Sequence, residues 1–222
     1  ILSQKDLSVL RDAIIEGRRT FRNSMKYIMM GTSSNFGNMF SMAGASLFLP
    51  FLPMLPVQIL LNNMLYDLSE IAIPFDTVEL SEMNVPVVLD MKLLHNFMWS
   101  IGPISSVFDF MTFGVLLMFF DADQALFQTG WFVESLFTQV LVIFVIRTRG
   151  NPFIAKPHPG LIVAALVVLV TSMLIPYTAV GRYFGFTPLP AAFFVVLVIM
   201  VVVYLGVVEL AKRRFFRLHD GS

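Results

Sequence analysis

The 222-residue sequence contains no cysteine. Disulfides, thiolate metal centres and haem–thiolate chemistry are excluded, and the redox compartment cannot be read from it. Charge is scarce too, at 14% of residues, against roughly 25% in an average soluble domain. The 15 basic and 15 acidic residues cancel, so bulk electrostatics points to no acidic partner, and no nucleic-acid partner is expected. The three histidines, His95, His158 and His219, are scattered and lack metal-ligand spacing. No Gly-rich phosphate loop, Ser/His/Asp set or metal-hydrolase spacing is present, so no hydrolytic chemistry is expected from this chain alone. No cleavable signal peptide is recognisable, and Ile1 in place of Met reads as the start of a fragment or a trimmed chain.

What the chain has in abundance is apolar length. Hydrophobic residues make up 57% of it, against about 45–50% in soluble domains. Several apolar runs exceed about 17 residues, which predicts an integral membrane protein of helices rather than a barrel. Residues 4–30 are polar but periodic: Leu7, Leu10, Ile14, Phe21, Met25 and Ile28 step mostly by three, four or seven. No breaker separates them from the apolar run that ends at Leu49, so one long helix is expected over 7–49. Pro50, Pro53 and Pro56 force a stiff turn. Further spans are expected over 56–73, 96–120, 129–146, 160–178 and 190–211, with an acidic loop (Asp76, Glu79, Glu82, Asp90) after the second.

The expected fold is therefore all-α, a polytopic bundle of six transmembrane helices with a long N-terminal stalk helix. Its expected parts are the stalk over 1–30, the transmembrane domain over 31–215 and a tail over 216–222. With six spans both termini share a side. Fourteen of the fifteen Lys and Arg residues then lie on that side, with Arg182 alone opposite. The positive-inside rule makes the richer side cytosolic. No repeat is evident, which argues against a transporter of inverted halves. Trp99, Trp131, Tyr177 and Tyr183 read as interfacial anchors, and the closing basic cluster as a positive-inside anchor, with anionic-lipid contact as a lesser option. The 14 Met residues read as lipid-facing or packing residues.

The second span breaks the rule for such spans. It reads PVQILLNNMLYDLSEIAI and carries Asn62, Asn63, Asp67 and Glu70. A carboxylate at mid-membrane depth costs roughly 2.5–3.5 kcal/mol on insertion scales. Asn63, Asp67 and Glu70 fall at i, i+4 and i+7, so a helix puts their oxygens on one face. In the first span Asn35 and Asn38 lie three apart, and Ser34, Asn38 and Ser41 share a face. Taken alone, these small and amide residues read as helix-packing glue. With an eight-residue turn between the spans they are expected to be antiparallel neighbours, and two facing oxygen-bearing helices favour an ion site. Asp109 in the third span reads as a ligand, a proton acceptor or a partner for a buried donor, with a structural or coupling role favoured. Glu134 is placed near the outer end of the fourth span, within reach of headgroups. Gln139 lies deeper, with ligation and interhelical hydrogen bonding equally open.

The run LSVLRDAIIEGRRTFRNSMKYIMMGTSSNFGNMFS resembles the stalk and fifth transmembrane helix of P-type cation-transporting ATPases. LFLPFLPMLPVQILLNNMLYDLSEIAIPFD resembles their sixth. GPISSVFDFMTF, LFQTGWFVESLFTQ and IRTRGNPFI are similar to the magnesium-transporting subgroup. The resemblance covers nearly the whole chain, as the C-terminal six-helix half of such a pump. By position it implies metal ligation by Asn35, Asn38, Asn63 and Asp67, with Gln139 on an eighth-helix ligand position; Asn62 and Glu70 join the candidate set. Two departures from the calcium-pump pattern fit a site of lower charge: Asn38 replaces a carboxylate, and Leu68–Ser69 stand where a Gly that helps unwind the helix follows the sixth-helix Asp. That suits Mg²⁺, which dehydrates reluctantly and takes one or two carboxylates plus waters.

The resemblance further implies that Mg²⁺ is the transported ion and accompanies ATP in the other half. That half would supply actuator, phosphorylation and nucleotide domains as partners, alongside the lipid bilayer. The stalk arginines Arg18 and Arg19 would couple them to the membrane, which would be the plasma (inner) membrane. Competing readings are a self-contained six-helix channel or carrier, a non-catalytic scaffold, and a pump for Ca²⁺ or another divalent ion.

Overall fold

A computed structural model describes residues 7–78, 89–152 and 154–219. Lys5 of the expected stalk, Glu79 and Glu82 of the acidic loop, and Phe153 lie outside the described residues. The described residues are helical, with no strand among them. The helices are α1 (Leu7–Ala45), α2 (Pro56–Glu70), α3 (Met91–Met118), α4 (Gln124–Ile146), α5 (Pro159–Leu174), a short α6 (Ala179–Tyr183) and α7 (Ala191–His219). Tight 3₁₀ turns follow α2 at Ile73–Phe75 and α5 at Ile175–Tyr177.

Local chemistry sets these boundaries. α1 runs 39 residues without a break, about 58 Å at about 1.5 Å per residue. It stops at Ala45, four residues before the expected Leu49, where the chain loosens toward Pro50. Pro56 opens α2, a position where its missing N–H costs nothing. The Gln58 side chain reaches back to accept from the Leu55 N–H at 2.9 Å. α3 begins five residues earlier than expected because Asp90 caps it, accepting from Lys92 N–H at 2.8 Å and Leu93 N–H at 3.2 Å. Asp123 likewise draws the start of α4 back to Gln124, accepting from Leu126 N–H at 2.8 Å. His158 Nδ1 accepts from Gly160 N–H at 3.1 Å at the start of α5. α7 carries helix to His219, so the expected tail begins inside it.

Among the described residues, four helices are long and apolar enough to cross a bilayer: Met91–Met118, Gln124–Ile146, Pro159–Tyr177 and Ala191–Leu218. Together with the comparisons below they define an integral membrane protein. The outward faces of α5 and α7 bear Val163, Leu166, Val167, Val198, Ile199 and Val202, all exposed. Apolar stripes of that size suit hydrocarbon rather than water. The other two expected spans fall on the later part of α1, where amides and hydroxyls lower the apolar content, and on α2, which is only 15 residues long and carries amides and carboxylates.

α4 is the axis of the bundle: nearly every side chain on it is buried, and it meets α1, α2, α3, α5 and α7. α1 packs most extensively on α3. Their approach is close because Gly37 and Gly102 face it. A Cβ on Gly37 would lie 3.0 Å from the Gly102 carbonyl oxygen, and one on Gly102 would lie 2.6 Å from Phe36. Ser106 seals the contact by donating to the Gly37 carbonyl at 3.0 Å.

The structure corrects two sequence expectations about anchors. Trp131 is 1% exposed and packs edge-on to Phe113 with ring centroids 5.0 Å apart. It is a core residue because α4 starts five residues before the expected span and carries Trp131 well inside. Lys212, read as part of the basic anchor, is 0% exposed. Its ammonium meets Glu209 at 2.6 Å and donates to the Val145 and Gly150 carbonyls at 2.9 and 3.1 Å, fastening α7 to the end of α4.

A second fastening closes the end of the bundle nearest the stalk. Asp76, just past α2, is buried and accepts from Arg147 Nη1 at 3.1 Å on both carboxylate oxygens. It also meets Lys26 of α1 at 3.4 Å and accepts from His158 N–H at 3.2 Å. Asn23 of α1 donates to the Pro74 and Asp76 carbonyls, each at 3.0 Å. One carboxylate thus gathers α1, the α2 exit, the α4 terminus and the approach to α5. Removing one partner of a buried pair leaves the other charge uncompensated, at about 3–5 kcal/mol. Asp76→Ala is therefore expected to lower the midpoint of thermal unfolding of the detergent-purified protein markedly, with Asp90→Ala, at an exposed cap, costing only about 1 kcal/mol. Equal effects of the two substitutions would contradict the role of Asp76.

Candidate cation site

The two oxygen-bearing helices are not packed against each other along their lengths. α1 makes its extensive backbone contacts with α3 and with the Ile73–Phe75 turn, and α2 makes its own with α4 and α5. This corrects the expectation of neighbouring antiparallel rods. A cavity of about 350 Å³ occupies the space between α1 and α2, floored by α4. Asn35 and Asn38 line it from α1, Asn62 and Asn63 from α2, and Ser135 from α4. The α1–α2 link that does form is side chain to side chain, Ser34 Oγ to Tyr66 Oη at 3.3 Å.

The amides at the floor are held by α4. Asn62, 2% exposed, donates at 3.5 Å to the Phe132 carbonyl and at 3.5 Å to Ser135 Oγ. Gln139 Nε2 donates to Asn62 Oδ1 at 3.3 Å and to Ser135 Oγ. Ser135 Oγ donates to Asn38 Oδ1 at 3.5 Å. Most of these bonds are long, so the seam is closed loosely. Gln139 does not line the cavity; it stands behind Asn62 and fixes it, with its own Oε1 buried and without a donor.

Asp67 and Glu70 face a second opening of about 490 Å³, toward the N-terminal part of α1, with Asn23, Ser24, Tyr27 and Pro74. Asp67 is exposed there and Glu70 is buried. Both Glu70 oxygens are buried, and the Tyr66 hydroxyl acts on that carboxyl. Partial burial first, then the charges of Asp67 and Glu70, push the Tyr27 hydroxyl above its usual pKa. The stripe expected on α2 is thus divided, with Asn63 in one cavity and the two carboxylates one and two turns on in the other. Among the described residues no group of three or more His, Asp or Glu side chains is placed to hold a metal. The donor set is instead amides, a hydroxyl and two separated carboxylates. Such oxygens suit a hard cation that keeps part of its water, and they are too few to complete a shell of about six.

Asp109 lies in neither cavity. Ser41 donates to its Oδ2 at 2.5 Å and Trp131 to its Oδ1 at 3.0 Å. Glu134, expected near the headgroups, is 1% exposed and beside Asp109, because it lies mid-helix on the most enclosed helix of the bundle. Arg18 and Arg19 are half-buried on α1, and Arg19 pairs with Glu16 at 3.2 Å. Sequence reasoning missed Ser135 and Tyr66 as partners of the site. The signal for Ser135 was present, since it lies one turn before Gln139 on the same face.

The class follows from this geometry: an α-helical membrane bundle with oxygen-lined cavities beside α2. Residues 51–214 match the family model described as "Cation transporting ATPase, C-terminus", and the chain belongs to that family. Over 222 residues it is 44% identical to the magnesium-transporting ATPase, P-type 1, of Salmonella typhimurium (strain LT2), covering 98% of this chain and 25% of that protein. The protein of the same name from Escherichia coli (strain K12) is 43% identical over the same share of each. A putative cation-transporting ATPase of Methanocaldococcus jannaschii is 27% identical over 160 residues, 72% of this chain and 20% of that protein. The chain spans about a quarter of the length of the magnesium-transporting relatives.

The hydrogen bonds among Asn62, Ser135 and Gln139 make a direct prediction. In a double-mutant cycle on thermal unfolding, Asn62→Ala and Gln139→Ala are expected to be non-additive, by about 0.6 and at most about 1.7 kcal/mol, the range for polar contacts between membrane helices. Strict additivity would show that Gln139 does not hold Asn62.

Proposed function

We propose that this chain is the ion-carrying membrane part of an ATP-driven divalent cation pump, with Mg²⁺ as cargo. The observation that carries the reading is 44% identity across 98% of the chain to a magnesium-transporting ATPase. The oxygen-lined cavities beside α2 support it. ATP hydrolysis would belong to the partner half of the pump, with its actuator, phosphorylation and nucleotide domains, where Mg²⁺ accompanies ATP.

In this proposal Asp67 attracts the ion at the stalk-side opening and Glu70 adds a second carboxylate beside it. Asn63, one turn from Asp67, passes the ion to the amides of the inner cavity. Asn35 and Asn38 close on it from α1, and Asn62, held by Gln139 and Ser135, forms the floor. A site of few charges and many amides lets Mg²⁺ retain waters, where Ca²⁺ takes six to eight oxygen ligands. α1 spans from stalk to cavity as one rigid rod. A push on its stalk end moves Asn35 and Asn38 relative to α2, and Arg18 and Arg19 are the docking groups for that push. Asp109, bonded to α1 through Ser41, senses the same movement.

The accompanying organisation is part of the proposal. Residues 1–30 are a cytosolic stalk, 31–215 the six-span domain and 216–222 a cytosolic tail. Both termini face the cytosol of a plasma (inner) membrane, with anionic lipids against the basic ends. The cation distribution supports that orientation.

Two measurements on the full-length protein test this. ATPase activity titrated with Mg²⁺, Ca²⁺, Mn²⁺ and Ni²⁺ is expected to rise most steeply with Mg²⁺ above the amount bound to ATP. Asp67→Asn is expected to lower cation-stimulated phosphoenzyme turnover at least tenfold, a loss of about 1.4 kcal/mol or more. Preferential stimulation by Ca²⁺ would reassign the ion, and wild-type turnover in Asp67→Asn would remove Asp67 from the site. Arg18→Ala with Arg19→Ala is expected to reduce maximal turnover while leaving the half-saturating cation concentration within about twofold, since neither residue lies near the oxygens. A pure loss of cation affinity would count against the stalk role.

A further inference from the structure

Asn23 of α1 is 0% exposed. Its amide nitrogen donates to the Pro74 and Asp76 carbonyls, each at 3.0 Å. An Asn amide carries two N–H donors and one acceptor oxygen. Both donors are therefore spent on the exit from α2, and that pairing fixes which end of the amide is the oxygen. Oδ1 is left buried without a donor. An acceptor in that position costs about 1–3 kcal/mol unless something meets it. Asn23 lines the opening of about 490 Å³ that Asp67 and Glu70 also line. It is brought there because α1 packs on the Ile73–Phe75 turn that follows α2.

The other groups at this opening select the sign of its occupant. Asp67 and Glu70 stand at i and i+3 on α2, one turn apart on one face. α2 ends at Glu70, so its last carbonyls and the negative end of its dipole are there as well. Among the described residues that line the opening there is no Lys, Arg or His. Lys26, one turn beyond Asn23 on α1, lines a different opening and is drawn to Asp76 at 3.4 Å and to the Thr77 carbonyl at 3.0 Å. Two carboxyl groups and a carbonyl-bearing helix end repel an anion. A cation can take the Asn23 oxygen and the carboxylates together. One amide and two carboxylates leave water in part of a shell of about six, the arrangement that suits a small divalent ion.

We propose that Asn23 is a cation ligand, and that with Asp67 and Glu70 it forms a binding site for a hydrated divalent cation, separate from the amide cavity. The inference rests on the reading of this chain as part of a pump for such an ion. The site lies between α1 and the end of α2, so an ion is held there before it reaches Asn63. The Asn23 amide then has two tasks. Its oxygen touches the ion, and its nitrogen holds the Pro74 and Asp76 carbonyls, so occupancy of the site bears directly on the fastening at Asp76.

Equilibrium binding of Mn²⁺ to the full-length protein in nanodiscs, without nucleotide, tests this through the electron paramagnetic resonance signal of the free ion. The relevant binding is the part that Asp67→Asn removes. Asn23→Leu fills a similar space without an oxygen and is expected to weaken that binding about tenfold or more. Asn23→Asp keeps an oxygen but loses both N–H donors. It is expected to bind Mn²⁺ at least as tightly as the wild type, even as the midpoint of thermal unfolding falls. A merely structural Asn23 gives the opposite pattern, because Leu and Asp lose the same two hydrogen bonds. Asp67-dependent binding that is unchanged in Asn23→Leu, or equally weakened in Asn23→Leu and Asn23→Asp, would overturn the assignment and leave the pump reading standing. Absence of Asp67-dependent binding in the wild type would overturn the site together with that reading. Should Asn23→Leu fail to assemble, Asn23→Asp is compared with the wild type, and weaker binding in Asn23→Asp is the overturning result.

Discussion

Hydrocarbon offers no hydrogen-bond partner, and this single constraint organises the bundle. Every polar side chain carried into it must be met by another part of the protein. α4 meets most of them: it bears Trp131 for Asp109, Ser135 for Asn38 and Asn62, and Gln139 for Asn62. That is why the most enclosed helix is also rich in polar residues. Among the buried atoms of the described residues left without a partner is the Gln139 Oε1, behind the cavity beside α2.

α1 connects these features. Along one helix, Asn23 and Lys26 join the Asp76 fastening, Ser34 reaches Tyr66, Asn38 reaches Ser135, and Ser41 reaches Asp109. A continuous helix of 39 residues cannot move at one of these points without loading the others. Its seam with α3 is close at Gly37 and Gly102. These contacts are thereby joined along one helix, and the fastenings at Asp76 and Lys212 tie the ends of the surrounding helices together.

Much of this was legible in the sequence. The periodicity of residues 4–30 and the unbroken apolar run to Leu49 announced α1 over 7–49, prolines placed the turn before α2, and Asn63, Asp67 and Glu70 stood out by polarity alone. The shared face of Ser34, Asn38 and Ser41 was visible, but its partners were not, because pairing across helices is set by packing rather than spacing. Antiparallel order suggested that α1 and α2 touch, yet α1 packs on α3, where Gly37 and Gly102 allow close approach, and α2 packs on α4 and α5. Trp131 was read as an interfacial anchor, Glu134 as reaching the headgroups and Lys212 as part of the positive-inside cluster, each from its nearness to a span end. Capping by Asp123 and the extension of α7 moved those ends outward and drew all three inside. Asp76 passed as one loop carboxylate among four, since nothing local announces a residue whose partners lie about 50 to 80 positions away.

The central claim is that oxygens on facing parts of α1 and α2 share one partly hydrated divalent ion. Anomalous scattering from Mn²⁺, replacing Mg²⁺ in crystals of the full-length protein, locates that ion directly. The account predicts a peak between α1 and α2, within reach of Asn63 and Asp67 and opposite Asn35 or Asn38. A peak elsewhere in the bundle, with these side chains turned to lipid or to one another, would contradict it.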